Sequence, residues 1–235
     1  ALTFAVFAKL HTKKDITRIM AITNKAARYI SLFILPIILF LYIFSESVLT
    51  FLFGTDAIAS ADVVRILLVA CYVNSLRLVY ASQIVSGGYL KIGLFLNLQI
   101  LITNTILNLL FIPEEIWGYT TLGLGVEGAA LTYLLSLLIN AIIMLYFLKV
   151  ITNTSLFMNI WKHIFSGILV TIFFMNTGNF FHEYPFIFLS PVLVCLIHFS
   201  LLYFLNELRR SDLYYFLDLL KFKKMSKYVK DELEI

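Results

Sequence analysis

The sequence predicts an all-α membrane protein, a polytopic bundle of transmembrane helices. Of the 235 residues, 61% are hydrophobic and only 14% are charged, whereas charged residues make up about a quarter of a soluble domain. The apolar residues are gathered into segments of roughly 18 to 25 residues, the length that crosses a hydrocarbon core of about 30 Å. A soluble helical bundle is the alternative, and both observations disfavour it.

Six spans are expected along the chain. Pro36 lies in the middle of the first span and predicts a kink there, and Pro191 lies inside the sixth. The second and third spans are joined by a tight turn, "SGGY" at residues 86–89. The spans run from about Ala27 to Phe53, Val63 to Ser86, Leu90 to Ile112, Gly125 to Val150, Ile164 to Phe181, and Pro185 to Asn206.

Charged residues divide the loops into two sets and thereby predict the orientation. Six basic residues lie before the first span or at its very start and seven follow residue 206, whereas the alternate loops carry mainly acids. By the positive-inside rule the basic loops and the C-terminus face the cytoplasm. Localisation in the cell (cytoplasmic) membrane, multi-pass with a cytoplasmic C-terminus, is expected. The acids of the outward set are Glu46, Asp56, Asp62, Glu114, Glu115, Glu127 and Glu183.

The two ends of the chain differ from the spans. The stretch from Ala1 to Ala8 is too short to cross a bilayer and is expected to be the end of a transmembrane helix that begins upstream. Residues 207–235 have the pattern of a basic amphipathic helix, with Ser211 as its N-cap, suited to the anionic inner leaflet. A partly disordered solubilising tail is the alternative.

Neither an enzyme nor a metal site is predicted. The four histidines are scattered, and no phosphate-binding glycine loop or nucleophile with a neighbouring base is present in the sequence. Cys71 and Cys195 lie inside apolar runs, where free, buried thiols are expected more than a disulfide. No catalytic residue, metal ligand or cofactor is therefore proposed, and no nucleic-acid partner is expected.

Arg77 is the sharpest candidate for function. It lies near the middle of the second span, about 14 residues from one end and 9 from the other. An arginine at that depth costs about 2.5–3.5 kcal/mol to insert. Asn74, three residues earlier, shares its helix face. The pair predicts an anion-binding group in a water-filled cavity; a structural ion pair or a carbonyl cap with a neighbouring helix is the alternative.

The third span carries a polar stripe. Asn97, Asn104 and Asn108 are spaced by seven and four residues, which places them on one helix face, with Gln99 off to one side. Such amides either line a sugar-accepting cavity or hydrogen-bond to a neighbouring helix. Asn140 and His198 are interpreted as packing groups.

Several stretches, in order, resemble the polysaccharide (O-antigen-type oligosaccharide) flippases of the multidrug/oligosaccharidyl-lipid/polysaccharide exporter superfamily. They include a span with a central proline that ends in Phe-Gly at Gly54, and the small-residue turn containing Gly87. The third is "LFIPEEIWGYTTLGLGVEGAALTYLLS" at residues 110–136, and the tail "RRSDLYYFLDLL" also looks similar. In the third stretch Glu127 is expected at the outer interface, and Gly128, Ala129 and Ala130 are expected to let a neighbouring helix approach closely.

The resemblance implies a C-terminal lobe of a two-lobe flippase fold, with residues 9–152 in the lobe and residues 162–206 forming two additional helices. It implies translocation of a lipid-linked oligosaccharide, carried on a polyprenyl phosphate or pyrophosphate, by alternating access within membrane lipids. The N-terminal lobe of the same chain would complete the cavity. Arg77 would bind phosphate, while Asn74, Asn97, Asn104 and Asn108 would meet sugar hydroxyls.

Two other functions stay open at this point. An ion-coupled multidrug exporter of the same superfamily would need a membrane-buried acid, and none of the fourteen acids lies deep within a span. A non-transporting membrane subunit of a glycan assembly complex is the third hypothesis. It predicts a protein that moves no lipid-linked sugar in liposomes.

Overall fold

A computed structural model describes residues 16–152, 160–177, 188–208 and 212. Seven α-helices, a short 3₁₀ segment at Thr55–Ser60 and one small hairpin account for most of these residues. The helices are α1 (Ile16–Ile43), α2 (Ser45–Phe53), α3 (Ala61–Ser86), α4 (Leu90–Phe111), α5 (Gly125–Thr152), α6 (Ile160–Asn176) and α7 (Ser190–Phe204). The hairpin pairs β1 (Glu115–Ile116) with β2 (Tyr119–Thr120) between α4 and α5. The prediction of an all-α protein is confirmed, and the hairpin is an addition that the sequence did not predict.

Three helices in the described part are long and apolar enough to cross a membrane: α1, α4 and α5. Helix α3, with 26 residues, is longer than α4, but it carries Arg77 and Asn74 among its apolar residues. Helices α6 and α7 are apolar and shorter. By their length and composition these helices indicate a helical membrane protein.

The first predicted span differs from the structure in its start and in its break. Helix α1 begins at Ile16 rather than near Ala27, and it continues through the buried Pro36. The helical run is interrupted at Phe44, where φ is −100° and ψ is 22°. Phe44 is fully buried and packs its ring edge-on to Phe174, with 5.6 Å between the ring centroids. The position of this aromatic contact, and not the proline, therefore marks where α1 gives way to α2.

Helix α1 lies at the centre of the bundle. It packs against α3 on one side and against α6 and α7 on the other, while α5 packs against both α3 and α4. The helix order across the bundle is therefore α4, α5, α3, α1 and then the α6–α7 pair. Small and polar side chains permit the close contacts: Gly167 of α6 lies against Leu39, and the Ser31 hydroxyl lies 2.6 Å from that of Tyr72.

The turn between α3 and α4 depends on its second glycine. Gly88 has a φ of +82°, in the left-handed region that favours glycine, whereas Gly87 has a φ of −75°. Gly87 was the predicted structural residue, so the conformational requirement lies one position further on. Gly54, by contrast, does have a positive φ of 89° where α2 ends.

The last helix begins later than predicted. Helix α7 starts at Ser190, so Pro191 occupies its first turn, where no intrahelical N–H is needed, and not its interior. At its other end Asn206 has a φ of 53°, and the N–H of Glu207 donates to the carbonyl of Leu202 at 2.9 Å. This left-handed cap turns the chain back toward α1. The predicted helix end at residues 1–8 lies outside the described residues, as does most of the predicted tail at 207–235.

Candidate functional site

Arg77 lies half-buried on α3 and is held by amide side chains. Its Nε donates a hydrogen bond to Oδ1 of Asn74 at 3.0 Å, which fixes one edge of the guanidinium against its own helix. Its Nη1 lies 3.5 Å from Oδ1 of Asn140 on α5, at the outer limit of a hydrogen bond. The predicted pair of Asn74 and Arg77 is thus in direct contact, and its neighbour is Asn140.

Asn140 connects Arg77 to the third predicted span. Its Nδ2 donates to the backbone carbonyl of Leu96 at 2.8 Å and to Oε1 of Gln99 at 2.7 Å. Since the two N–H groups of the amide are both used by α4, its oxygen is left to face Arg77. Gln99 in turn donates to the Thr103 hydroxyl at 2.8 Å. One network of polar side chains therefore joins α3, α5 and α4.

The asparagines of α4 do not form one site. Asn108 donates to Oδ1 of Asn104 at 3.1 Å, and its own Oδ1 accepts from the hydroxyl of Thr132 on α5. This second cluster contains no residue of the Arg77 network. Asn97 is exposed and belongs to neither cluster. The structure therefore brings Asn74 to Arg77 and Asn104 to Asn108, and it leaves Asn97 apart.

Three members of these clusters were not predicted to belong to a site: Asn140 was interpreted as a packing group, Gln99 was placed to one side of the polar stripe, and Thr132 was not singled out. A signal for two of them was present in the spacing along α5, where Gly128, Thr132, Ser136 and Asn140 recur every fourth residue and are all buried. Four-residue spacing follows one helix face. On this face the small and polar residues form the contact with α3 and α4.

Two other arginines in the described helices have carboxylate partners. Arg65, near the start of α3, contacts Glu46 and Asp62 at 2.7 Å each. Arg28 on α1 contacts Glu207 at 2.8 Å and Asp212 at 2.6 Å. Arg77 instead donates hydrogen bonds to the neutral amides of Asn74 and Asn140. Unlike Arg28 and Arg65, it takes part in none of the ion pairs found in the described part of the protein.

The Arg28 cluster closes one end of the bundle. Glu207 and Asp212 are nearly fully buried, and the Tyr29 hydroxyl donates to Asp212 at 3.1 Å. Lys162 at the start of α6 lies 3.6 Å from the second oxygen of Glu207. Arg28 thereby joins α1 to the segment that follows α7. The acids concerned are about 180 positions away in sequence, so their pairing had no local signal.

The described residues contain no cluster of histidine, cysteine and acidic side chains that could hold a metal ion. Both cysteines are free thiols. Nδ1 of His198 on α7 forms a hydrogen bond with the Ser166 hydroxyl on α6 at 2.9 Å. This bond connects the last two helices, whereas Arg77, whose hydrogen bonds go to neutral amides, keeps N–H groups that could bind an anion.

Comparison with known proteins adds no relative: no protein-family model matches the sequence, and no curated protein or solved structure matches it.

Proposed function

We propose that the protein is a flippase, which translocates a lipid-linked oligosaccharide or polysaccharide repeat unit across the cytoplasmic membrane by alternating access. The chain would form the C-terminal lobe of a two-lobe bundle with all six long apolar segments in the bilayer and its C-terminus in the cytoplasm. Its substrate would be carried on a polyprenyl phosphate or pyrophosphate, and an N-terminal lobe would complete the cavity.

A single observation carries this proposal: Arg77 keeps an unneutralised charge at mid-span. Its guanidinium is oriented by two amides, Asn74 and Asn140, which accept its hydrogen bonds without cancelling its charge. Holding an arginine there costs free energy unless it meets an anion or water. A phosphate oxygen would supply both the charge and the acceptors that a guanidinium binds best.

The second cluster suits a neutral, hydroxyl-rich partner. Asn104, Asn108 and Thr132 are half-buried to buried and carry no charge. Amides and hydroxyls are the groups that pair with sugar hydroxyls, so this cluster would meet the glycan while Arg77 meets the phosphate. Asn97 would take part only if another part of the complete transporter covers the exposed face of α4.

The proposal predicts that Arg77→Ala weakens binding of a polyprenyl phosphate by about tenfold or more. A hydrogen bond to a charged group is worth about 1.5–3 kcal/mol, and each 1.4 kcal/mol is a factor of ten in affinity. Arg77→Lys should keep part of the binding because it retains the positive charge. It should not keep all of it, because an ammonium group cannot donate the paired hydrogen bonds of a guanidinium. Native mass spectrometry of the purified full chain with polyprenyl phosphate, and with uncharged polyprenol as the ligand control, measures the effect.

Arg65→Ala is the matched protein control, since it removes an arginine from the same helix whose charge already has two acidic partners. Delivery of surface polysaccharide in cells provides the functional readout, and Arg77→Ala should stop it at normal expression. Equal binding of phosphate and alcohol, or normal delivery by Arg77→Ala, would show that the phosphate role is wrong.

The ion-coupled exporter receives no support from a specific observation. The two buried acids in the described residues, Glu207 and Asp212, are both held by Arg28 beyond the end of α7. A scaffold without transport activity would be indicated if the reconstituted protein bound polyprenyl phosphate but moved no lipid-linked sugar.

A further inference from the structure

The hairpin between α4 and α5 has a strained tip. Its strands pair Glu115 with Thr120 and Ile116 with Tyr119, so that Trp117 and Gly118 form a two-residue loop. Both loop residues have positive φ, 51° for Trp117 and 85° for Gly118, the combination of a type I′ turn. The first central position of such a turn is usually occupied by glycine or asparagine, and a tryptophan with a positive φ is uncommon there.

The hairpin is fixed to the helices that it connects. The N–H of Thr121 donates to the carbonyl of Glu114 at 2.9 Å, and that of Leu124 donates to Phe111 at 2.8 Å. The N–H of Gly125 donates to the carbonyl of Ile112 at 3.0 Å. The returning strand thus satisfies carbonyls at the end of α4. The tip consequently has a defined position relative to both helices.

The two faces of the hairpin differ in polarity. Directly paired residues lie on the same face of a two-stranded ribbon, which places Ile116 and Tyr119 on one face and Glu115 and Thr120 on the other. Trp117 is 93% exposed and Tyr119 is 77% exposed. An amphipathic ribbon with large exposed aromatic side chains is therefore presented outside the bundle.

The length of α4 indicates where this ribbon lies. The 22 residues of α4 extend about 33 Å at 1.5 Å per residue, slightly more than a hydrocarbon core of about 30 Å. A two-residue strand then advances about 7 Å. Residues 112–114 lie between the end of α4 and this strand. The polar region on each side of the core is roughly 5–8 Å thick, so the hairpin leaves α4 at the level of the headgroup region.

We propose that the hairpin tip, formed by Ile116, Trp117 and Tyr119, is an anchor that binds the phospholipid headgroup region. Tryptophan and tyrosine favour this region because their rings are apolar and each has a polar group that stays hydrated. The face with Glu115 and Thr120 turns to water. The proposal requires that α4 and α5 cross the membrane, and it does not depend on what the protein transports.

A sugar is the other ligand that stacks on exposed aromatic rings. The structure favours lipid, because the acid Glu115 lies on the face opposite Tyr119 and so is not beside that ring. Exposed apolar side chains also follow on the chain toward α5, at Leu122, Leu124 and Val126. These residues would continue the lipid contact down to the helix ends.

Tryptophan fluorescence tests the anchor directly, since the sequence has only two tryptophans. The full chain with Trp161→Phe retains Trp117 as the reporter and is reconstituted into phosphatidylcholine–phosphatidylglycerol vesicles. Some of the lipids carry bromine either near the glycerol backbone or near the chain ends. We expect strong quenching by the shallow bromine, weak quenching by the deep one, and partial protection from iodide in the water. Trp117→Phe is the matched control, and the difference between the unmodified protein and this variant gives the Trp117 signal independently of Trp161→Phe.

Quenching by neither brominated lipid, together with full access to iodide, would overturn the anchor. Quenching only by the deep bromine would also overturn it, because the tip would then lie in hydrocarbon. If an added soluble oligosaccharide protects Trp117 from iodide while the lipids do not quench it, the hairpin is a sugar platform and the lipid proposal fails.

Discussion

Gly128 lies at a close backbone approach between the end of α4 and the start of α5. A Cβ placed there would lie 2.7 Å from the carbonyl oxygen of Phe111 and 3.1 Å from its carbonyl carbon. Real Cβ atoms do not come so close to backbone atoms, so a side chain at this position would force α4 or α5 to move. Ala130, two residues on, is 3% exposed. The small residues singled out from the sequence therefore lie in a tight contact, with Ala129 half-buried between them.

We expect Gly128→Ala to destabilise the protein by about 1–3 kcal/mol, the usual cost of overpacking, and Gly128→Leu to cost more. Alanine is about 1 kcal/mol better than glycine within a helix, so a loss of stability would have to come from the contact with Phe111. Thermal unfolding of the protein in detergent measures the change.

Gly93→Ala is the matched control for helix propensity. Gly93 is also helical, but a Cβ there meets only the end of the Val85 side chain, at 3.2 Å. That methyl group can move by a few tenths of an ångström, so Gly93→Ala should be neutral or stabilising. A Gly128→Ala protein that unfolds at the same temperature as the unmodified chain, or higher, would contradict the close-contact interpretation.

For single residues, the sequence was better at predicting which side chains are polar groups of a site than at predicting which side chains they contact. Arg77 and Asn74 were recognised because a charge in an apolar run is conspicuous and because three-residue spacing fixes their shared face. The structure adds Gln99 to the Arg77 network and leaves Asn97 exposed, so the role predicted for Asn97 stays a prediction. Spacing gives the relative positions of residues around one helix, whereas the face that meets a neighbour depends on packing with α5.

Between elements, the Arg28 cluster is the main polar connection of the segment after α7 to α1. The side chains of Glu207 and Asp212 are 3% and 5% exposed, and that of Arg28 is 16% exposed. Removing one partner of a buried ion pair leaves the others charged without compensation, at a cost of about 3–5 kcal/mol. An exposed pair is worth at most about 1 kcal/mol.

Arg28→Ala should therefore destabilise the protein strongly and release the segment containing Glu207 and Asp212 to proteolysis. The variant that combines Arg28→Met, Glu207→Gln and Asp212→Asn should recover much of the stability, because it removes all three charges together. Limited proteolysis with detection of the C-terminus, combined with thermal unfolding, measures both effects.

Arg65→Ala is the control for this cluster, since its partners Glu46 and Asp62 have side chains 53% and 70% exposed. It should change the unfolding temperature little. If Arg28→Ala were as mild as Arg65→Ala, or if the triple variant were as unstable as Arg28→Ala, the cluster would not hold the C-terminal segment in this way.

For the molecule as a whole, the contacts define two ends of the bundle. Thr23 meets Gln83 at 3.0 Å and Arg28 meets Glu207, which gathers the start of α1, the end of α3 and the segment after α7 at one end. At the other end Phe44 meets Phe174, so the break after α1 lies beside α6 near its C-terminus. The helices therefore alternate in direction, as the alternating charges of the loops predicted.

The helix positions could be predicted because apolar runs of membrane length are visible in sequence without any partner. The break at Phe44 could not, because it coincides with a contact to Phe174, a residue 130 positions later. The hairpin was expected to be only a loop for a different reason: its strands are two residues long. Such short strands carry no period-2 pattern.

The last prediction concerns the orientation of the bundle, that is, which side of the membrane each end of α5 faces. Glu115 lies in the hairpin before α5, and Lys149 lies in the last turn of α5. Because α5 is 28 residues long, about 42 Å at 1.5 Å per residue, the two positions must lie on opposite sides of a bilayer that α5 crosses. By the positive-inside rule, the basic residues at both ends of the chain predict that Lys149 faces the cytoplasm.

Single cysteines at these positions test that orientation in a chain that carries Cys71→Ser and Cys195→Ser. A membrane-impermeant thiol reagent added to intact cells should label Glu115→Cys and leave Lys149→Cys unlabelled, whereas both should react after lysis. Labelling of Lys149→Cys alone would show that the orientation is the reverse of the predicted one, and the proposed outward direction of transport would then be wrong. Labelling of both positions in intact cells would mean that α5 does not cross the membrane, and the interfacial position of the hairpin would then lose its basis.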